Sequence, residues 1–238
     1  MKIEILPWVH DIRRKRHLEM LHHLTNATNP IIIALEITQR ERKRIHKLIK
    51  QVMKGADTWP PLSHAPEKLT VLCIECAKAD VIRLCERKST ELVAIEDEAT
   101  LNQRPKTLRH LNLADHQAIE SSNQAREAKF IDSIESVAKK RPGVDIAVVV
   151  GLAHAQWVED GLTLKGLRSK VVGGFYTDSQ KIGKAISDGK LARTAILNFV
   201  AGNSIKVPCS VDSYLVGLEI QKPIDEVFSE FRQRLRQQ

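Results

Sequence analysis

Short, almost continuously apolar runs recur along the chain, separated by longer segments in which apolar residues return every three or four positions. The first pattern is typical of strands buried on both faces of a parallel sheet, and the second is typical of amphipathic helices. The runs predict strands at Lys2–Val9, Ile31–Ile37, Leu69–Cys76, Glu91–Glu96, Asp145–Gly151 and Lys170–Phe175, with Ile205–Cys209 and Tyr214–Ile220 as further candidates. We therefore expect an α/β fold with a mixed, mainly parallel central sheet flanked by helices.

Helical spacing of apolar residues fills most of the intervals between these strands. It predicts helices at Ile12–Leu24, Thr38–Lys54, Lys78–Arg87, Asp115–Lys140, Asp160–Leu167, Asp178–Asn198 (one helix or two) and Pro223–Arg236. Prolines between residues 56 and 68 indicate a long loop. The length of 238 residues suits one large α/β domain, so we expect residues 1–238 to form a single domain.

Histidines and acids follow several of the predicted strands. His10 and His154 come just after two of them, and Glu36, Glu75 and Glu96 end three others. Ligands of open α/β sheets bind beyond the carboxyl ends of the strands. Neighbouring strands lie about 4.8 Å apart, so carboxylates there can converge on a hard cation or on a basic side chain. The alternative is that acids end strands because water begins there, and that His154 only caps the next helix.

Arg126 is the basic side chain that we expect near the carboxyl ends of the strands. It lies on the apolar face of the predicted helix, and the segment from Arg126 to Ala138 spans roughly 18 Å. The strand that returns towards Gly151 spans about 20 Å, so Arg126 is expected level with Gly151 and His154. There it either binds a substrate carboxylate or phosphate or forms a structural ion pair.

Composition narrows the class of protein. Hydrophobic residues make up 42% of the chain, which permits a substantial core. No apolar run approaches the ~20 residues of a membrane span, and the N-terminus has no apolar signal core. We therefore expect a cytoplasmic protein, or one exported by a signal that this pattern does not reveal. Cys73 and Cys76 form a CxxC without a second pair of ligands, which favours buried thiols over a zinc or redox site.

The net charge of +8 could attract nucleic acid, an anionic membrane or acidic partners. The excess is spread along predicted helices, and aromatic residues are only 4% of the chain, too few to supply stacking platforms for single strands. We interpret most of the charge as solvated helix faces and keep a polyanion as an alternative partner.

The segment VVVGLAH, followed by DGLTLKGL and then by KVVGGF, resembles the superfamily that joins the TraB/GumN/Tiki group with ChaN and the erythromycin esterases. In the TraB/Tiki group a strand runs into a GxxH motif, then a Gly-Leu helix, then a strand. The family's arginine corresponds to Arg126 in NQAREAKF, its second-strand acid to Glu36 in IIIALE, and its first-strand histidine to His10 in PWVHD. The resemblance covers roughly residues 3–175, which makes residues 1–175 the core and residues 176–238 an extension.

The resemblance implies a site of two histidines and a glutamate on strand ends. His10, Glu36 and His154 would hold zinc, manganese or iron with a position open to water, and Glu36, Arg126 and His154 would act on an ester or amide substrate. A bound metal lowers the pKa of its water and polarises a carbonyl group. Without a metal, a histidine could act as general base with Glu36 orienting it, and Arg126 would steady an oxyanion or a substrate acid.

Three functions remain open at this point. The first is a hydrolase of amide or ester bonds acting on a small molecule or a peptide. The second is a binding or regulatory protein on the same fold, favoured by Pro7, which stands where the family's first-strand motif has glycine. The third is a metal-dependent nuclease or phosphoesterase, which a steep salt dependence of nucleic-acid binding would support. The sequence leaves the substrate, the metal and the oligomeric state undetermined.

Overall fold

The structure, a computed structural model, describes residues 1–8, 10, 12, 14–27, 31–54, 66–102, 113–200 and 224–236. Its centre is a sheet of five parallel strands in the order β3-β2-β4-β1-β5. The strands are β1 (Ile3–Trp8), β2 (Ile31–Leu35), β3 (Leu92–Ala94), β4 (Asp145–Gly151) and β5 (Ser169–Val171). The predicted α/β class is confirmed, and every described strand pair is parallel.

Helices cover both faces of the sheet. They are α1 (Lys15–Asn26), α2 (Gln39–Met53), α3 (Pro66–Lys88), α4 (Glu98–Asn102), α5 (Leu113–Lys140), α6 (Leu152–Leu164), α7 (Ser179–Val200) and α8 (Ile224–Arg236). On one face, Leu6 and Leu35 pack with apolar residues of α1, α2, α3 and α8; on the other, Ile5 and Val148 pack with residues of α5 and α6. None of the described helices is long and apolar enough to cross a membrane.

The strand register brings the predicted site residues to one edge. Trp8 pairs with Gly151 at the carboxyl ends of β1 and β4, and Leu35 of β2 pairs with Val149. β1 ends at Trp8, β2 at Leu35 and β4 at Gly151. Pro7 is accommodated inside this central strand because β5 pairs only with Ile3–Ile5, which leaves no partner strand for a donor at position 7 on that side.

The predicted strand Leu69–Cys76 is wrong, because these residues belong to the long helix α3. Cys73, Cys76 and Ala77 are buried with three- and four-residue spacing, which continues into the helical pattern of the following segment. Glu75 is therefore not at a strand end, and it binds Arg44 of α2 instead, with 2.7 Å between Oε1 and Nη2. Cys73, Cys76 and Cys85 are buried and form no disulfide among the described residues.

The helix predicted to begin at Asp160 begins at Leu152, directly after β4. His154 therefore lies in the first turn of α6 rather than in a loop. α7 is one continuous helix, and α8 begins one residue after the predicted start. The predicted loop at residues 56–68 is wrong at its end, because residues 66–68 belong to α3. Its residues 56–65 and the candidate strands between residues 205 and 220 lie outside the described residues.

Candidate functional site

Glu36 is held where β2 meets α2. Its backbone N–H donates to the carbonyl oxygen of Val149 at 3.0 Å, which continues the sheet by one hydrogen bond. Thr38 then caps α2 in a capping box: its hydroxyl accepts from the Glu41 N–H, and its own N–H donates to the Glu41 carboxylate, both at 3.1 Å. Ordered backbone on both sides fixes the direction of the Glu36 side chain.

Arg126 of α5 is buried and binds two carboxylates. Its Nη2 donates to Glu36 Oε1 at 2.6 Å and also to Glu96 Oε2. Its Nε lies 3.1 Å and 3.0 Å from the two oxygens of Glu96. Arg126 thus lies level with the carboxyl ends of the strands, as the sequence predicts, and its donors point at protein carboxylates. This geometry favours the ion-pair alternative over direct binding of a substrate acid.

His154 completes the contacts of the guanidinium. Its Nδ1 lies 2.7 Å from Glu127 Oε1, and its Nε2 lies 3.2 Å from Arg126 Nη1. Because Arg126 can only donate, Nε2 acts as the acceptor, and Nδ1 carries the proton that is donated to Glu127. The edge of the Phe130 ring also contacts the imidazole, with 5.7 Å between the ring centroids. His154 is therefore a buried link between α5 and α6.

The two carboxyl groups bound by Arg126 differ in pKa. Burial raises the pKa of Glu36, but the neighbouring imidazoles of His10 and His154 and the charge of Arg126 outweigh burial and hold this pKa well below its usual value. For Glu96, burial dominates and raises the pKa, with Arg126 opposing it and the charge of Glu36 adding to it. Environments that push the pKa values of neighbouring acids apart are typical of acid–base sites.

His10 is the most accessible of the residues predicted for the site, with a side chain that is 20% exposed. It follows β1 and stacks on the indole ring of Trp8, with 4.2 Å between ring centroids and 27° between the planes. Its Nε2 is buried and has no hydrogen-bond partner among the described residues. That nitrogen lies 3.4 Å from Glu36 Oε2.

Gly151 separates His10, Glu36 and His154. A Cβ atom at this position would lie 3.3 Å from His10 Nε2, 3.4 Å from Glu36 Oε2 and 3.6 Å from His154 Cδ2. The Gly151 N–H donates to Glu36 Oε2 at 2.6 Å. The absence of a side chain thus leaves a small space lined by two imidazoles and a carboxylate, where the backbone also supplies a donor.

The structure brings His10, Glu36, Arg126 and His154 together, with Glu96 beside them. Sequence reasoning missed Glu127, which binds His154. Glu127 adjoins Arg126 along α5 and resembles a solvent-facing acid in the sequence. The one signal in the sequence is that Glu127 directly follows the inward-facing Arg126 at the level of the strand ends; its burial is seen in the structure.

The predicted metal ligands do not form a three-residue set in this arrangement. Among the described residues, no group of three or more His, Cys, Asp or Glu side chains is placed to hold a metal ion. His10 Nε2 and Glu36 Oε2 are 3.4 Å apart, close enough to share one ion, whereas His154 Nε2 faces the guanidinium of Arg126. A zinc, manganese or iron ion therefore stays a prediction.

Comparison with protein-family models, with curated proteins and with solved structures finds no match for this chain. The resemblance to the TraB/GumN/Tiki group consequently stays a prediction that rests on the motifs quoted above.

Proposed function

We propose that the chain is a hydrolase of ester or amide bonds that uses His10 as its general base. The observation that carries this proposal is the buried Nε2 of His10, which lacks a hydrogen-bond partner among the described residues and faces the anionic Glu36 at 3.4 Å. Hydrogen bonds of catalytic pairs are often long without substrate and shorten when it binds. Glu36 then orients the imidazole in the way that the acid of a catalytic triad orients its histidine.

In the proposed reaction His10 first accepts a proton from water and then donates it to the leaving group. With Nε2–H directed at Glu36, the lone pair of His10 is on Nδ1. Nδ1 takes a proton from water while the water oxygen forms a bond to the carbonyl carbon of the substrate. The imidazolium then returns this proton to the leaving alcohol or amine as the carbon–oxygen or carbon–nitrogen bond breaks. Glu36 stabilises the positive charge that His10 carries between the two transfers.

Arg126 and His154 act in this proposal as positioning residues. Arg126 occupies one oxygen of Glu36 and the Gly151 N–H occupies the other, so the carboxylate has one orientation. His154 and Glu96 in turn hold the guanidinium. A planar side chain bound on several sides keeps one geometry better than a flexible lysine would.

The test is hydrolysis of a panel of chromogenic esters and peptide anilides by wild type, His10→Asn and Glu36→Gln. We expect both variants to lose about 100-fold or more in kcat while remaining folded. His46→Asn is the matched control, because His46 also binds a glutamate, Glu86 of α3, but is not part of the candidate site. Hydrolysis that survives His10→Asn overturns the proposal, and a wild type inactive on the whole panel favours a binding protein on the same fold.

Elemental analysis distinguishes activation of water by His10 from activation of water by a bound metal ion. Wild type is compared with His10→Ala and His154→Ala after reconstitution with zinc, manganese or iron. Stoichiometric metal that both variants lose would assign activation of water to the ion. Wild-type activity that persists at full rate without bound metal supports His10 as the base.

A row of exposed lysines favours nucleic acid as a second kind of ligand. Lys43, Lys47, Lys50 and Lys54 follow one another at steps of four, three and four residues along α2 and its C-cap residue, Lys54, and all four are exposed. No described carboxylate binds any of them, whereas Arg44 on the same helix binds Glu75. The row is about 16 Å long, which suits contacts to successive backbone phosphates rather than to bases.

Salt dependence tests this second function. If all the lysines contact phosphates of a DNA duplex, the logarithm of the binding constant should fall with the logarithm of salt concentration with a slope of about −3.6. Lys47→Gln and Lys50→Gln should each reduce that slope by about one. Lys139→Gln is the control, because Lys139 binds Glu135 on another helix. A slope that the α2 substitutions leave unchanged excludes the lysine row as the contact surface.

A further inference from the structure

A second buried polar chain runs beneath the candidate site and has no part in the chemistry proposed above. The indole Nε1 of Trp8 lies 3.3 Å from His17 Nδ1, and His17 Nε2 lies 3.0 Å from Asp80 Oδ2. Arg234 of the C-terminal helix α8 binds the same oxygen of Asp80 at 2.7 Å. The chain thus connects β1, α1, α3 and α8.

Each hydrogen bond in this chain has only one direction. The Trp8 indole can only donate, so His17 Nδ1 is the acceptor and Nε2 carries the proton donated to Asp80. His17 is fully buried and the Asp80 side chain is 4% exposed, so water does not compete for these groups. The tautomer of His17, and with it the position of the indole N–H, is fixed by the carboxylate of Asp80.

This series of hydrogen bonds ends at Trp8, whose indole ring contacts His10. The face of the indole ring that Asp80 and His17 hold in place is stacked on the imidazole of His10. His10 Nε2 lies 3.4 Å from Glu36 Oε2, which is longer than an ordinary hydrogen bond, so the stacked indole is a second constraint on the plane of the imidazole. Torsions at an aromatic ring have broad minima, and packing alone would fix the indole less firmly than packing with a hydrogen bond at its tip.

We propose that His17 and Asp80 are positioning residues for His10 and act on it through Trp8, with α8 taking part through Arg234. The inference rests on the proposed function for its catalytic consequence, although the positioning itself is independent of any reaction. Buried polar groups stabilise a fold only when every hydrogen-bond partner is present, and apolar side chains could fill the same volume. The proposed role in positioning His10 gives the buried His17–Asp80 pair a function beyond packing.

NMR of the histidine ring protons tests the positioning without a substrate. The indole of Trp8 shifts the His10 ring resonances through its ring current while the two rings are stacked. In Asp80→Asn we expect the His10 resonances to lose most of this shift. Glu75→Gln is the control, because Glu75 lies on the same helix and its loss removes another interhelical ion pair. His10 resonances that stay unchanged in a folded Asp80→Asn variant overturn the proposal.

A second variant keeps the test decisive if Asp80→Asn does not fold. His17→Phe removes the acceptor of the indole N–H and leaves both Trp8 and the Asp80–Arg234 pair in place. We expect the same loss of ring-current shift, and unchanged His10 resonances in this variant also contradict the proposal.

Kinetics separate the positioning from the function on which its consequence rests. With a hydrolysed substrate, Asp80→Asn should lower kcat about tenfold with KM nearly unchanged, since only the geometry of the base is altered. Altered His10 resonances together with an inactive wild type would retain the positioning and reject the hydrolase. A wild-type kcat in Asp80→Asn, with His10→Asn inactive, would reject the catalytic consequence of the positioning and retain the hydrolase.

Discussion

Gly151 has no side chain between His10, Glu36 and His154, and a methyl group added there would crowd His10 and Glu36. Gly151→Ala adds one methyl group at 3.3 Å from His10 Nε2 on a backbone that alanine adopts readily. The N–H bond to Glu36 is retained. We expect hydrolysis to fall about tenfold or more because the base is displaced, while the thermal midpoint changes by only a few degrees.

Gly174→Ala is the matched control for this change, since nothing lies within 4 Å of a Cβ atom there. Activity assays and thermal unfolding are recorded on both variants. Full activity in Gly151→Ala would show that the reaction does not use this space.

Glu36 and Glu96 should affect stability in opposite directions as the pH changes. The pKa of Glu36 is lowered by folding, so its stabilisation is complete above its usual pKa of 4.5 and is lost as the pH falls through the lower folded value. The pKa of Glu96 is raised by folding, so its contribution is complete below 4.5 and is lost as the pH rises through the higher folded value.

Urea unfolding of Glu36→Gln and Glu96→Gln between about pH 3 and pH 8 measures both effects. The stability that wild type gains over Glu36→Gln should shrink towards acid pH, and its gain over Glu96→Gln should shrink towards alkaline pH. If the stability differences of the two variants changed in the same direction with pH, the opposite pKa shifts of Glu36 and Glu96 would be contradicted.

The residues of the site were predictable from the sequence, but their contacts were not. His10, Glu36 and His154 follow apolar runs, and parallel strands bring such positions to one edge. Whether Arg126 points at substrate or at protein depends on which side-chain rotamers fit between neighbouring helices, and that is set by packing between residues far apart in sequence. Glu127 was missed for the same reason.

Helices α5 and α6 hold Arg126 and His154, and Gly161 lets them approach each other. A Cβ atom at position 161 would lie 2.1 Å from Cδ1 of Ile131, which is a severe overlap. We expect Gly161→Ala to lower the free energy of unfolding by about 1–3 kcal/mol. Ile131→Ala removes the overlapping atoms, so the double variant should lose less stability than the sum of the two single changes.

Urea unfolding of the two single variants and the double variant gives this coupling free energy. Additive losses would mean that α5 and α6 do not meet at Gly161. Activity of Gly161→Ala provides a second check, because separating the helices should weaken the contact between Arg126 and His154.

The same two helices show where sequence patterns succeed. The boundaries of β4 and the end of α5 match the predicted ones, because long or strongly apolar segments leave one interpretation. α6 was predicted eight residues too short at its start, since its first turns contain the motif residues that resembled a loop. α3 was divided because its apolar positions are dense enough to imitate a buried strand.

The molecule as a whole includes the C-terminal helix in its main core. Phe231 and Leu235 of α8 are fully buried and belong to the same cluster as Leu6 and Leu35 of the sheet. We therefore expect Phe231→Ala to lower the free energy of unfolding by about 3–5 kcal/mol and to shift the whole transition. Circular dichroism and tryptophan fluorescence in urea should move together.

Two separate transitions, of which only one responds to Phe231→Ala, would show that α8 belongs to an independent unit. A single transition would support the expectation that residues 1–238 form one domain.

Chemical rescue of His10→Ala tests whether this histidine is the base. The substitution removes the imidazole from its place against Trp8, beside a site that solvent reaches, and leaves Glu36 and Arg126 unchanged. Added imidazole should then restore hydrolysis in a saturable way, by about tenfold or more, whereas His46→Ala should show no dependence on imidazole. A folded His10→Ala variant that is inactive and does not respond to imidazole would contradict the assignment of His10 as the general base.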